Sequence, residues 1–142
     1  MVELNHTFET GKDTEYNWDA ILDLERIIPC VDGGKVLERE SDKLAKAEVK
    51  VKMGAMSMTF RGTVEVVERD DAAHTAVLQV KSRDVGGSGY ANADVRFALN
   101  DGGGDINTRA QISGKAASMG EGIVQTVLDA LIRDFTTKLA AI

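Results

Sequence analysis

The first residues alternate: Val2, Leu4, His6 and Phe8 fall on one side and Glu3, Asn5, Thr7 and Glu9 on the other. This period of two predicts a strand with one buried face. The alternation stops near Gly11. Between Thr14 and Ile28 the apolar spacing widens, and Trp18, Ile21, Leu22, Leu24, Ile27 and Ile28 predict one or two short helices, closed by Pro29, which disfavours helical geometry just before it. From Lys35 the period of two returns. Candidate strands are Val36 to Ser41, Leu44 to Met53, Met56 to Arg69, Thr75 to Arg83, Tyr90 to Asn100 and Asp105 to Lys115, separated by short turn-forming groups. Turns this short favour antiparallel neighbours, and the single proline lies outside the region, so nothing forbids central strands.

The last stretch, Ala116 to Ile142, predicts one amphipathic helix. Ile123, Val124, Val127, Leu128, Leu131, Ile132, Phe135 and Leu139 draw an apolar stripe, with Glu121, Gln125, Asp129, Arg133 and Lys138 on the other side. At roughly 1.5 Å per residue such a helix runs about 40 Å, enough to cross a sheet. One strand, two short helices, six strands and a long final helix give an α+β chain: seven antiparallel strands curved around the C-terminal helix, the helix-grip arrangement. Residues 1 to 142 are expected to form one domain, with no repeat and no linker.

Strand parity indicates which residues share the face toward that helix. Met56, Met58, Phe60, Gly62, Val64 and Val66 fall together, as do Ala76, Leu78 and Val80, then Ala91, Ala93, Val95, Phe97 and Leu99, then Ile106, Thr108, Ala110 and Ile112. Many are small. Two readings follow: small residues let the helix sit close to the sheet at normal density, or they leave a cavity lined by methionine, aromatic and aliphatic groups, suited to a flat or elongated apolar molecule.

Composition narrows the function. A net charge of −6 and a pI near 4.9 disfavour lasting contact with nucleic acid or anionic lipid headgroups. Cys30 is the only cysteine, so no intrachain disulfide is possible, and no apolar run approaches a membrane span or signal-peptide core. A reducing cytoplasm fits best. The two histidines and one cysteine have no recognised metal-site spacing. Cys30 reads as a small buried thiol rather than a nucleophile, and His74 as a solvated turn residue. The loop from Gly86 to Gly89 lacks the lysine of a phosphate loop. Asp101 and Asp105 flank three glycines without the ligand spacing of a calcium loop, and the pairs Asp70-Asp71 and Asp23 with Glu25 read as solvated charges. Trp18 is expected to pack its helix onto the sheet, and Tyr90, beside the glycine loop, to line a cavity mouth. His6 is the ionisable residue on the apolar face of the first strand. It reads either as a histidine hydrogen-bonded to a neighbour or as a polar anchor for a carbonyl or hydroxyl on an apolar ligand.

The stretch from Val51 to Gly62, with Lys52, Gly54 and Gly62, then Gly87, Gly89 and Ala91, then Ala117 and Gly120, resembles in order and spacing the carbon monoxide dehydrogenase CoxG family of the START-like (SRPBCC) superfamily. The likeness spans nearly the entire chain. A Pro-Gly usual after the short helices is here Pro29-Cys30. The resemblance implies a non-catalytic binder of an apolar small molecule, quinone- or lipid-like, held between sheet and C-terminal helix. In some relatives it is connected with recruiting a molybdenum hydroxylase to the membrane or with carrying a quinone. Many relatives continue into a membrane-associating tail, whereas this sequence stops at Ile142, which argues against direct anchoring. The implied alternatives are a cyclase- or dehydratase-like enzyme using the same cavity and an assembly or recruitment factor with a filled core. No cofactor, metal ligand or catalytic residue is assigned. Inward parity and position make the candidate cavity lining His6, Met56, Met58, Phe60, Leu78, Val80, Tyr90, Ala93, Val95, Phe97, Met119, Ile123 and Val127.

Overall fold

The alternating segments form one antiparallel sheet. The computed structural model describes residues 1 to 142 and contains strands β1 (Val2–Glu9), β2 (Gly34–Arg39), β3 (Leu44–Met53), β4 (Met56–Asp70), β5 (Thr75–Asp84), β6 (Tyr90–Asn100) and β7 (Gly103–Ile112). Helices α1 (Thr14–Leu22) and α2 (Leu24–Ile27), then a short turn of 3-10 helix at Ile28–Cys30, follow β1, and α3 (Glu121–Ala141) closes the chain. The strand order is β1-β7-β6-β5-β4-β3-β2. Consecutive strands from β2 to β7 are neighbours, and β1 joins at the far edge by pairing Val2 with Ala110 through Glu9 with Gly103.

Two boundaries differ from the sequence expectation. The final helix begins at Glu121 rather than Ala116, because Gly120 adopts φ +97° and separates it from a 3-10 turn at Ala117–Met119. At 21 residues α3 spans about 31 Å. Strand β7 reaches back to Gly103, a position that reads as loop in the sequence. A Cβ there would lie 1.9 Å from the carbonyl oxygen of Phe8, so the glycine is what allows β1 to pair along its whole length.

The sheet cannot be flat. Helix α3 packs against both β1 and β3, the first and sixth strands in order. At a spacing of about 4.8 Å a flat sheet would hold those strands roughly 24 Å apart, twice the width of a helix. The sheet must therefore curl into a trough that α3 covers. Irregular registers between Val36 and Glu38 of β2 and between Val66 and Glu68 of β4 contribute, since a bulge bends its strand and increases local twist. Gly62 contributes too: a Cβ on it would stand 1.8 Å from the Lys81 carbonyl oxygen of β5. Its small size serves close contact between strands rather than the room for a cavity that its parity suggests.

The short helices close one end of the trough. Asp13 caps α1 by accepting from the Tyr16 amide at 2.9 Å, and Asp101 of the β6–β7 turn accepts from the Thr14 amide and hydroxyl at 3.0 and 2.7 Å. The acidic glycine turn is thus a helix-capping device. Trp18 is buried, donates its indole N–H to Asp71 at 3.0 Å and meets the His74 ring edge-on, with centroids 5.4 Å apart. His74, expected in solvent, instead lies between Trp18 and Glu15, whose carboxylate is 2.9 Å from Nε2.

Gly62→Ala is expected to destabilise the protein by about 1–3 kcal/mol, because backbone must move to admit the methyl group. Gly122→Ala, where the added Cβ meets nothing within 4 Å, is expected to be neutral or to stabilise by up to about 1 kcal/mol. Urea unfolding of both variants checks the contrast; equal effects would contradict the role given to Gly62.

Candidate ligand-binding site

Apolar burial divides into two clusters along the trough. One joins Phe8, Trp18, Ile21, Leu24 and Ile27 to Leu78, Phe97, Leu99 and Ile106 and to the C-terminal end of α3 at Phe135 and Leu139. The other joins Val2, Leu4, Val51, Met53, Met58 and Phe60 to Ala116 and to Val124 near the helix start. Between them the inner face is not sealed. Val64, Val80, Ala93 and Val95, on the central strands β4, β5 and β6, are only half-buried, and so are Val127, Leu128, Leu131 and Ile132 of α3. Central strands have no free edge through which this accessibility could arise, so it belongs to space between the sheet and the middle of the helix.

That space opens sideways. Strand β2 begins at Gly34, paired with Val49, and the last contact on that edge runs from the Lys50 amide to the Gly33 carbonyl at 3.1 Å. Beyond it, residues 51 to 53 of β3 have no strand on that side. A cleft of about 600 Å³ lies there, with Val51 and Met58 on the sheet and Val127, Ala130 and Leu131 on α3. This is within the usual range for small-molecule sites. Its rim is polar: Lys50, Lys52, Ser57, Thr59, Asp32 and Asp134, with Lys138 bridging Asp134 at 3.0 Å and Asp32 at 3.8 Å. A second cleft, of about 410 Å³, lies outside the trough among Asp19, Asp23, Arg39, Asp42, Lys43 and Arg69. Its charged lining, with Arg39 already paired to Asp42, does not suit an apolar guest.

The expected lining residues are dispersed. Met58 and Val127 border the lateral cleft. Phe60 and half-buried Met56 belong to the cluster at the helix start, and Leu78, Phe97 and Val95 to the other cluster. Val80 and Ala93 stand between the two on the central strands. Met119 lies over the β3–β4 turn, its methyl group 3.6 Å from where a Gly54 Cβ would sit. Ile123 is 45% exposed. Tyr90 does not reach the trough. It borders a cleft with Arg61, Lys81, Arg83 and Asn92 on the opposite face, as its strand parity with Asn92 requires. Val51, Leu131 and Ala130 complete the cleft without being among the expected residues. The alternation of β3 places Val51 inward, but only the short β2 edge shows that it borders an opening.

His6 is where the trough turns polar. Its side chain is 8% exposed, and Nε2 lies 2.6 Å from Oδ1 of Asp129 on α3. The other oxygen of Asp129 accepts from Arg133 Nε at 2.8 Å. Arg133 first, and His6 second, hold the Asp129 carboxyl below its usual range, because both favour the ionised form. The chain His6–Asp129–Arg133 fastens β1 to the helix. Cys30 is buried, with Sγ 3.4 Å from the Arg26 carbonyl oxygen, and burial pushes its thiol pKa up. That is the opposite of a nucleophile's environment.

Comparison with solved structures defines the class. A conserved protein from Geobacillus kaustophilus superposes with a TM-score of 0.83 at 24% identity, covering 99% of this chain and 93% of its own. A START superfamily protein from Mycobacterium smegmatis gives 0.62 at 11% identity, with 98% and 94% covered. The Zhui aromatase/cyclase from Streptomyces sp. R1128 gives 0.61 at 11% identity, with 99% and 92% covered. The fold is START-like. The carbon monoxide dehydrogenase CoxG family matches residues 7–141, and the chain belongs to it. No curated protein matches the sequence.

The Asp129 contact has a pH signature. A carboxylate with a depressed folded pKa contributes stability that is complete above the ordinary value near pH 4 and is lost as pH falls through the folded value. Asp129→Asn is therefore expected to be less stable than the parent at neutral pH, with the gap narrowing below about pH 4. Urea midpoints measured from about pH 7 down to about pH 2.5 would refute this by showing a gap that does not change with pH.

Proposed function

We propose that this protein is a non-catalytic carrier that holds an apolar small molecule, quinone- or lipid-like, between the curved sheet and α3. The observation that carries the reading is the incompletely closed middle of the sheet–helix contact. Val80, Ala93 and Val95 face Leu128, Leu131 and Ile132 while remaining half-buried, although both ends of the same contact are fully packed. Leaving so many aliphatic groups accessible to water costs about 25 cal/mol per Å² of apolar surface. A guest of complementary shape would recover that energy. The cleft between the unpaired end of β3 and α3 gives such a guest a route in without opening the sheet, and its charged rim suits a molecule that enters from water or from another protein.

Membership of the CoxG family supports delivery of the guest to a molybdenum hydroxylase of the carbon monoxide dehydrogenase kind. No helix is long and apolar enough to cross a membrane. The lone buried thiol, with no disulfide to lose, is compatible with work in the reducing cytoplasm.

Gentle denaturation of natively purified protein, organic extraction and mass spectrometry are expected to release an apolar molecule. At about one hundred times its dissociation constant the same molecule should raise stability by about 2.7 kcal/mol. Val127→Trp, which fills the cleft beside Leu131, is expected to weaken binding at least tenfold while the empty protein still unfolds cooperatively. An empty extract, joined to no saturable binding of quinones or fatty acids, would remove the proposal.

A further inference from the structure

Two buried polar atoms on the inner face have no hydrogen-bond partner in the protein: Nδ1 of His6 and Oγ1 of Thr108. Both side chains are more than nine-tenths buried. They sit on neighbouring strands, since Leu4 pairs with Thr108 and His6 with Ile106, which makes His6 and Thr108 diagonal neighbours on one face. A single oxygen atom within hydrogen-bond distance of both can bridge groups up to roughly 5.5 Å apart.

Asp129 decides what that oxygen must carry. Its carboxylate only accepts, so the hydrogen of the neutral imidazole resides on Nε2, and Nδ1 is left as a lone-pair acceptor. The threonine hydroxyl can donate. The pair therefore offers one acceptor and one donor, matching a hydroxyl group, which gives its hydrogen to Nδ1 and accepts one from Thr108. A carbonyl would satisfy Thr108 alone and leave Nδ1 unpaired. An ether would do the same.

From this geometry we infer that His6 and Thr108 form a hydroxyl-recognising anchor, and that the guest is an apolar alcohol or phenol rather than a pure hydrocarbon, ether or ketone. The inference rests on the carrier reading above. His6 binds the guest directly, and Asp129 is a positioning residue that selects the tautomer.

The test uses para-nonylphenol and its methyl ether para-nonylanisole, titrated into the purified full chain by calorimetry. The phenol is expected to bind roughly tenfold more tightly or better, because the ether strands a buried acceptor. In Thr108→Val, which keeps the side chain's shape, and in His6→Phe, the two probes should bind alike. Nitrogen NMR of the labelled histidines should show the Nδ1 signal of His6 shifting on addition of the phenol and not of the ether. Equal, saturable affinities for both probes in the parent protein would overturn the anchor and leave the carrier reading standing. Failure of both probes to bind would overturn both. A preference for the phenol that survives Thr108→Val and His6→Phe places the hydroxyl elsewhere and overturns the anchor, as does an Nδ1 signal unmoved by the phenol because a trapped water already holds it.

Discussion

One helix touching the first and the sixth strand of a seven-strand sheet is the constraint from which the rest of this structure follows. It forces the sheet to curl, and a curled sheet has a concave side that a rod about as wide as α3 can cover only in part. The ends close because side chains there are large, with Phe97 and Phe135 at one end and Phe60 and Met58 at the other. The middle is lined by alanine and valine, which are too short to meet the helix across the widest part of the trough.

The helix is held in place by different chemistry at its two ends and its centre. Phe135 and Leu139 bury apolar area at the C-terminal end, where Lys12 donates to the Ala140 carbonyl at 3.2 Å, a cation placed at the negative end of the helix dipole. At the centre, where apolar contact is incomplete, the bond from His6 to Asp129 ties the helix to β1. A polar clasp beside an open apolar space fixes the helix without filling the trough, an arrangement compatible with taking up and releasing a guest.

Much of the fold is legible along the chain. Period-two alternation locates every strand to within a few residues, because a strand with one wet face must alternate, and the shortness of the turns implies antiparallel pairing. The helix-grip order follows from the succession of elements alone. Errors fall where glycine acts through space rather than locally. Gly103 looks like loop and is strand, Gly62 looks like cavity lining and serves the approach of two strands, and Gly120 ends a turn instead of continuing a helix. His74 reads as solvated because nothing local announces Trp18, more than fifty positions earlier, as the ring it meets.

The candidate site divides in the same way. Alternation and helical spacing by themselves determined that Met58, Val80, Ala93, Val95 and Val127 belong to apolar faces, and that His6 is a polar residue on the inward side of β1. Only the tertiary structure decided that β2 is too short to cover Val51, that Tyr90 lies on the far face, and that the free nitrogen of His6 shares its surroundings with Thr108, a residue about a hundred positions away. Periodicity reports which side of an element a residue occupies. Where two sides meet, and how far apart they stand, depends on the curl of the sheet, a sum of small twists and bulges that no single segment encodes.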